Sequence, residues 1–342
     1  MKLRIGIVSG GNISQTHARA VREIDGAEVS AVFGANPEKV KQLAETYNCA
    51  AYRDFDSFLQ HKPLDVVLIG SPAGLHAEQG IRSARNGLHV LTEKPLDITT
   101  EKCDALIAEC ERAEVKLGVF FQDRTTPDIR KLKEVIDSGR LGKIILVSAR
   151  VKWYRPEEYY KGSRWRGNLA LEGGGALISQ GIHTIDLLLW LLGDVTQVSG
   201  KAITALHDVE VEDTVVATLE FASGAIGTVE AATSAYPGYA RRLEITGTEG
   251  TIILENDNII AADLRTPSPD IVSKIEKADS ERSTSAVISD VSGHRRIIED
   301  FLQAIADDRA PLCDGREGKR SVALIQAIYE SSKSGRFVSL TN

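Results

Sequence analysis

The chain has 342 residues, which suits about two domains, and 42% of them are hydrophobic, enough for a sizeable core in each. This composition excludes a disordered chain and a fibre. The 41 Lys and Arg residues against 48 Asp and Glu give a net charge of −7, with both signs scattered along the chain. No basic block could neutralise a phosphate backbone, so nucleic acid is not an expected partner.

The sequence shows no membrane span and no export signal. Its longest unbroken apolar run covers residues 187–192, whereas a transmembrane helix needs about 20 residues, and the N-terminus leads directly into a strand. We expect a soluble, cytosolic protein with no membrane partner. The four cysteines form no C-x-x-C pair and lack zinc-ligand spacing with histidine. They are predicted to be reduced thiols, with a disulfide or a metal site as the less favoured alternative.

Residues 1–122 are predicted to form an α/β domain. From Leu3 to Phe121 the chain alternates short β-branched runs with amphipathic stretches, beginning RIGIVS, NISQTHARAVREI, VSAVF and PEKVKQLAETY. Such an alternation of strand and helix is typical of a parallel sheet covered by helices on both faces.

Residues 123–342 are predicted to form a second, α+β domain. After two helical segments, strands follow one another with short Gly-containing turns: DTVVATLEFA, GAIGTVEAATS, RRLEITGT and GTIILEN. This succession favours an antiparallel sheet. The segment 266–292, rich in Ser, Asp and Lys, is interpreted as a mobile surface excursion, and the closing helical segment is a candidate to pack back across both domains.

The first strand-to-helix turn reads SGGNIS from Ser9 to Ser14. A dinucleotide fingerprint G-x-G-x-x-G needs small residues here, so that the backbone can approach a pyrophosphate at the helix N-terminus. Of the three glycine positions of this fingerprint, only the middle one is a glycine here, Gly11; Ser9 and Ser14 occupy the outer two. An ordinary Gly-rich turn is the alternative, but the strand before and the helix after favour a nicotinamide dinucleotide site.

The end of the second predicted strand bears on the choice of cofactor. An acidic residue that binds the ribose hydroxyls of NAD is expected about 20 residues after the fingerprint, but residues 33–36 read FGAN. Because no carboxylate stands at this position, nothing there would repel the 2′-phosphate of NADP, and Lys39 could attract it. We therefore predict that NADP(H) is favoured over NAD(H), although Lys39 could also be an ordinary exposed lysine.

Two further strand ends carry polar residues: SPAGLH from Ser71 to His76, and TEKP from Thr92 to Pro95. Open α/β sheets bind ligands at the carboxyl ends of their strands. A lysine between an acid and a proline, Lys94, is hard to explain by packing, so it is predicted to be functional.

A later helix, GGGALISQGIHTIDL, carries a polar stripe on an otherwise apolar sequence. At 3.6 residues per turn, Ser179, His183, Asp186 and Trp190 share one face. His183 could be a core histidine satisfied by Asp186. Together with Lys94 and three glycines that permit close approach, a catalytic stripe is the favoured interpretation.

Between residues 153 and 165 the chain concentrates aromatic side chains and arginines. These residues are Trp153, Tyr154, Tyr159, Tyr160 and Trp165, interleaved with Arg155, Arg164 and Arg166. Aromatic rings stack on sugars, and arginines pair with carboxylates or phosphates. A subunit interface favours the same residue types and is the alternative.

These motifs identify the chain as a member of the glucose-fructose oxidoreductase / inositol dehydrogenase / MocA family. The matching segments are GxNISxxH from Gly10, SPAGLH from Ser71, EKP from Glu93, WRG from Trp165, GGGAL from Gly173, GIHTID from Gly181 and GREG from Gly315. The resemblance implies an N-terminal Rossmann domain with a parallel sheet and a C-terminal domain with a large, mostly antiparallel sheet. It also implies a homodimer or homotetramer formed through that sheet.

Carried over by position, Lys94 matches the family's active-site lysine and His183 its catalytic histidine. Cyclitol dehydrogenases of the family have an aspartate, and many sugar dehydrogenases an asparagine, where this chain has Ser179, which argues against inositol as the default substrate. The predicted catalytic residues are Lys94 and His183, with Asp186 or Ser179 orienting the imidazole. The predicted cofactor-binding residues are Ser9, Gly11, Asn12, Ile13, Asn36, Lys39, Ser71, Pro72, His76, Glu93, Lys94 and Gln122. The predicted substrate-binding residues are Tyr154, Trp165, Arg166, His183 and Tyr236.

The resulting hypothesis is a nicotinamide-dependent dehydrogenase or reductase acting on a secondary alcohol or ketone of a sugar or sugar derivative. His183 would accept the hydroxyl proton, and Lys94 would stabilise the developing alkoxide, or the two roles are exchanged. The alternatives are an NAD-dependent glycosidase of the same family and a non-enzymatic regulator that senses a dinucleotide or a sugar.

Overall fold

A computed structural model of the chain describes residues 2–163, 165–267, 271–272 and 290–340. It divides the protein into two compact units, one of residues 1–122 and 287–319 and the other of residues 123–286 and 320–342. The start of the closing helical segment is thus grouped with the first unit. Arg164 and most of the segment 266–292, which we interpreted as a surface excursion, lie outside the described residues.

The first unit contains a parallel sheet of six strands. The strands are β1 (Leu3–Val8), β2 (Ala27–Phe33), β3 (Ala50–Tyr52), β4 (Val66–Ile69), β5 (His89–Thr92) and β6 (Leu117–Val119). Their order is β3-β2-β1-β4-β5-β6, and every pairing is parallel. This order reverses direction between β1 and β4, as in the Rossmann fold, so the predicted α/β domain is confirmed. All four residues of β4 are buried, as expected for a central parallel strand.

Helices connect these strands. They are α1 (Asn12–Arg22), α2 (Pro37–Tyr47), α3 (Phe55–Leu59), α4 (His76–Arg85) and α5 (Thr100–Arg112), with short 3₁₀ turns at Ala73–Leu75 and Gln122–Thr125. Later in the chain come α10 (Ser292–Ala306) and α11 (Gly315–Ser334). Helix α10 packs against α1 within the first unit, and most residues of α11 are grouped with the second unit.

The second unit contains a sheet of eight strands. The strands are β7 (Ile144–Lys152), β8 (Val195–Ile203), β9 (Thr214–Phe221), β10 (Ile226–Ala232), β11 (Arg242–Gly247), β12 (Gly250–Glu255), β13 (Asn258–Leu264) and β14 (Val338–Ser339). Their order is β13-β12-β11-β7-β10-β9-β8-β14. The pairings are antiparallel except that β10 lies parallel to β7, so the predicted, mostly antiparallel sheet is confirmed.

The helices of the second unit precede most of its strands. They are α6 (Pro127–Asp137), α7 (Glu157–Lys161), α8 (Leu169–Glu172) and α9 (Ile182–Leu192), and a π-helical turn, Ala176–Gly181, leads directly into α9. By length and composition alone, Leu169–Leu192 could cross a membrane, but 72% of its most apolar stretch is buried in the protein. Positive φ angles of 81° at Gly173 and 157° at Gly174 interrupt this segment. It therefore has the character of a core segment and offers only weak support for a membrane span.

Candidate functional site

The turn between β1 and α1 has the geometry of a phosphate-binding loop. Ser9 has a φ of 106°, in the region that favours glycine, and its hydroxyl accepts a hydrogen bond from the Gly11 amide at 3.3 Å. Among the described residues, no side chain caps α1, and the amides of Asn12 and Ile13 have no acceptor. These amides at the positive end of a helix fit the pyrophosphate of a dinucleotide.

The end of β2 packs closely against this loop. A Cβ atom added to Gly34 would lie 3.0 Å from the Gly10 amide nitrogen, so a larger residue at position 34 would displace the loop. Asn36 caps α2 by accepting a hydrogen bond from the Lys39 amide at 3.1 Å. Lys39 is exposed, and its Cβ lies beside Gly10. The lysine stem is therefore next to the glycine-rich loop.

The loops after β4 and β5 are tied together by His76. Its Nδ1 lies 2.8 Å from the Pro95 carbonyl oxygen, and its Nε2 lies 2.9 Å from the Ser71 carbonyl oxygen. Pro72 precedes the 3₁₀ turn that leads into His76. The imidazole is buried and both ring nitrogens face backbone oxygens. His76 thus joins the two loops, and its contact with the cofactor stays a prediction.

Glu93 is buried beneath Lys94 between two histidines. Its Oε1 lies 2.9 Å from His17 Nε2 and 3.5 Å from His294 Nε2, while its Oε2 accepts a hydrogen bond from the Lys94 amide at 3.3 Å. Burial by itself would raise the pKa of Glu93, but the hydrogen bonds from the two histidines outweigh it and hold that pKa well below its usual range. The ionised carboxylate thus fixes the backbone of the predicted catalytic lysine.

The two histidines have different origins. His17 projects from α1, stacks on Phe120 with ring centroids 4.6 Å apart, and has its pKa lowered by burial. His294 comes from α10, at the far end of the chain. Sequence reasoning gave neither a role: His17 was quoted only as part of a matched motif, and no local pattern singles out His294. The three ligand atoms lie within 4.8 Å of one another, so they could also hold a metal ion.

In the second unit His183 lies at the start of α9, largely buried. The carboxylate of Asp123 is beside it, with Oδ2 3.9 Å from His183 Nδ1. That carboxylate is itself held by Arg241, whose Nη1 donates to Asp123 Oδ2 at 2.7 Å. Asp123 was not a predicted site residue, because it lies 60 positions earlier in the chain, in the 3₁₀ turn Gln122–Thr125.

Asp186 forms a buried ion pair with Arg124. The guanidinium donates to both carboxylate oxygens, at 2.9 and 2.5 Å, and both side chains are about 1% exposed. Arg124 also lies over the Trp190 ring. Both oxygens of Asp186 thus accept from Arg124, and its role in orienting His183 stays a prediction. The Asp123 carboxylate, 3.9 Å from His183 Nδ1, is a further candidate for that role.

Ser179 and the three glycines are used within the second unit. The Ser179 hydroxyl donates to Glu172 at 2.5 Å, and burial raises the pKa of that glutamate. A Cβ on Gly174 would collide with the Tyr329 ring, and one on Gly175 with the Glu212 carbonyl. At Gly174 and Gly175 the close approach is made by other parts of the protein.

The predicted substrate residues are brought together in part. The Tyr154 and Tyr236 rings pack edge to face at 5.2 Å, with Tyr236 largely exposed. Trp165 and Arg166 lie together with Tyr159 in a second group. Gln122, a predicted cofactor residue, is the last residue of the first of the two chain segments that make up the first unit. Its side chain lies against Gly293.

Comparison with known proteins follows the division of the fold. A family described as "Oxidoreductase family, NAD-binding Rossmann fold" matches residues 3–121, and one described as "GFO/IDH/MocA C-terminal domain" matches residues 129–253. Together they cover well over half of the chain.

Among curated proteins, the myo-inositol 2-dehydrogenase of Thermotoga maritima is 26% identical, with 99% of this chain and 98% of that protein aligned. The scyllo-inositol 2-dehydrogenase (NAD(+)) of Bacillus subtilis is 30% identical, with 74% of each aligned. Among solved structures, the WlbA dehydrogenase of Bordetella pertussis, in complex with NADH and UDP-GlcNAcA, superposes with a TM-score of 0.91 and 32% identity, covering 100% of this chain and 98% of that one.

The chain with the glycine-rich turn after β1, the buried Glu93 next to Lys94, and His183 beside Asp123 is thus matched in both of its parts by models of one family. The protein belongs to the GFO/IDH/MocA oxidoreductases and binds a nicotinamide dinucleotide in its Rossmann domain.

Proposed function

We propose that the protein oxidises a secondary alcohol of a sugar or sugar derivative, or catalyses the reverse reduction. The observation that carries this proposal is Lys94, whose backbone is fixed by a buried, ionised Glu93. An ammonium group at this position, just after the carboxyl end of β5, is suited to stabilising the negative charge that develops on a substrate oxygen. The dinucleotide supplies the hydride acceptor when it is bound.

His183 is the second catalytic residue in this proposal. An imidazole can accept the hydroxyl proton near neutral pH, and the nearby Asp123 stabilises the imidazolium that forms. In this proposal either Lys94 or His183 can be the proton acceptor.

The test uses Lys94→Met and His183→Ala. Each should lower turnover by about 10²-fold or more, as expected for loss of an acid–base group or of oxyanion stabilisation, while binding of the dinucleotide, measured by titration, stays unchanged. Lys41→Met provides a matched control, since that exposed lysine on α2 faces, among the described residues, only the exposed Glu45. Near-normal turnover in both catalytic variants contradicts the assignment. Net reduction of added dinucleotide also separates this activity from a glycosidase that regenerates its cofactor in each cycle.

For the cofactor we propose NADP(H) over NAD(H). Residues 33–36 carry no carboxylate, and the exposed Lys39 begins its side chain beside the glycine-rich loop. Lys39→Ala should lower the affinity for NADPH but not that for NADH. Lys41→Ala, on the same helix, should change neither affinity. NADH bound tenfold more tightly than NADPH by the wild type contradicts this proposal.

We also propose assembly into a homodimer or homotetramer through the second sheet, in the cytosol. Three apolar side chains on one face of this sheet are exposed: Leu146, Val216 and Ile226. A charged residue there, as in Ile226→Asp, should shift the mass measured by light scattering to that of a monomer. A wild-type protein that is monomeric at micromolar concentration would contradict the proposed assembly.

A further inference from the structure

Two arginine side chains alternate with three aromatic rings in the second unit. The Arg155 guanidinium carbon lies 5.2 Å from the Trp153 ring centroid and 5.6 Å from that of Tyr159. The Arg166 guanidinium carbon lies 4.1 Å from the Tyr159 ring and 5.2 Å from the Trp165 ring. Tyr159 therefore separates two positive charges. Stacking of this kind fixes the plane of a guanidinium and leaves its edge for hydrogen bonds.

Arg166 differs from two buried arginines of the second unit, Arg124 and Arg241, which each have a carboxylate partner. Arg124 and Arg241 each donate to aspartates. Among the described residues, by contrast, no carboxylate lies within ion-pair distance of the Arg166 guanidinium, and its Nε is buried without an acceptor. A buried donor without a partner is destabilising, and more so when it is charged. Such a group is retained most readily where a ligand completes it.

We propose that Arg166 binds an acidic group of the substrate, a carboxylate or a phosphate, so that the substrate class is an acidic sugar. This inference rests on the proposed function. Two oxygens of either group match the fork of a guanidinium and would satisfy the buried Nε. The neighbouring Trp165 ring offers an apolar face against which a sugar ring can stack. A neutral sugar would leave the charge and the Nε donor unsatisfied.

The contacts of Arg155 are consistent with a supporting role. It donates to the Tyr154 carbonyl and to the Gln180 amide oxygen, and Gln180 in turn donates to the Tyr159 hydroxyl. These bonds orient the Tyr159 ring on which Arg166 stacks. Substitutions of the two arginines are thus expected to have different effects. A change at Arg155 should disturb the arrangement of the cluster, whereas a change at Arg166 should remove the preference for a charged ligand.

The experiment compares matched pairs of sugars with the dinucleotide-saturated protein: glucuronate with glucose, glucose 6-phosphate with glucose, and UDP-glucuronate with UDP-glucose. Binding is measured by calorimetry and turnover by dinucleotide absorbance. The acidic member of at least one pair should be favoured about tenfold to a hundredfold, as expected for a charge-assisted pair. The pair that shows the preference distinguishes a carboxylate from a phosphate. Arg166→Gln should remove the preference and Arg166→Lys should keep part of it, while Arg265→Gln, an exposed control in the same unit, should change nothing.

The outcomes separate this inference from the function on which it rests. Equal binding and oxidation of neutral and acidic sugars by the wild type would overturn the inference, and so would an equal loss of affinity for both kinds of sugar in Arg166→Gln. Either result leaves the proposed dehydrogenase function standing. Selective binding of an acidic sugar without hydride transfer overturns the proposed function and leaves the inference intact. If Arg166→Gln alters the oligomeric mass and not the preference, the cluster is a subunit interface and the inference is wrong.

Discussion

Replacing Glu93 by Gln tests the buried support of Lys94. The carboxylate accepts hydrogen bonds from His17 and from the Lys94 amide, with His294 3.5 Å away. The Gln amide keeps one acceptor oxygen and turns an NH₂ group toward one of these donors. Because a hydrogen bond to a charged partner contributes about 1.5–3 kcal/mol, Glu93→Gln should lower the free energy of unfolding at pH 7 by about 2 kcal/mol.

The effect should depend on pH with a defined sign. The pKa of Glu93 is held below the ordinary value of 4.5. Its stabilising contribution is therefore fully present above pH 4.5 and is lost as the pH falls through the folded-state value. The difference in unfolding free energy between wild type and Glu93→Gln should narrow below pH 4.5. Because burial lowers the pKa of His17 from 6.5, folded protein should also lose stability as the pH falls below 6.5.

The assay is urea denaturation followed by far-ultraviolet circular dichroism at pH 7 and pH 4. Fluorescence is unsuitable, since Trp153, Trp165 and Trp190 all lie in the second unit. Glu111→Gln serves as the control, because that exposed glutamate pairs only at the surface and should change stability by less than about 1 kcal/mol. The turnover number of Glu93→Gln should fall. Wild-type stability and turnover in this variant would refute the reasoning.

Two further substitutions test the second unit. Asp186→Ala leaves the Arg124 charge buried without its carboxylate and should lower the unfolding free energy by about 3–5 kcal/mol, measured by tryptophan fluorescence; a change below 1 kcal/mol contradicts the buried pair. Gly174→Ala places a methyl group against Tyr329 at a φ of 157°, whereas Gly193→Ala has a positive φ and no neighbour within 4 Å. Gly193→Ala should lower the unfolding free energy by about 1 kcal/mol from backbone strain alone, and Gly174→Ala by more, so equal losses in thermal melts contradict the clash.

The sequence predicts the first unit well because its signals are local. Each strand is followed by a helix that ends at a glycine or polar residue, and this repetition dictates a parallel sheet. The strand pairing of the second sheet is harder to predict from the sequence. β10 pairs in parallel with β7, residue Ile226 opposite Leu146, and the intervening helices and strands carry no local mark of that pairing.

The candidate site shows the same limit. Helical periodicity places Asp186 near His183, but it cannot reveal Arg124, which is 62 positions earlier and takes both carboxylate oxygens. Ser179 lies in a π-helical turn, where the 3.6-residue period does not hold. His294 reaches Glu93 only because α10 returns to pack on α1 within the first unit.

The most direct test of the account is hydride transfer itself. Purified protein is mixed with NAD or NADP and with aldoses, uronic acids, cyclitols, anhydrosugars and nucleotide sugars, and nicotinamide reduction is followed by absorbance. The account predicts net reduction with at least one sugar, lost in both Lys94→Met and His183→Ala. Tight dinucleotide binding without reduction by any sugar, or reduction that survives both substitutions, would contradict it.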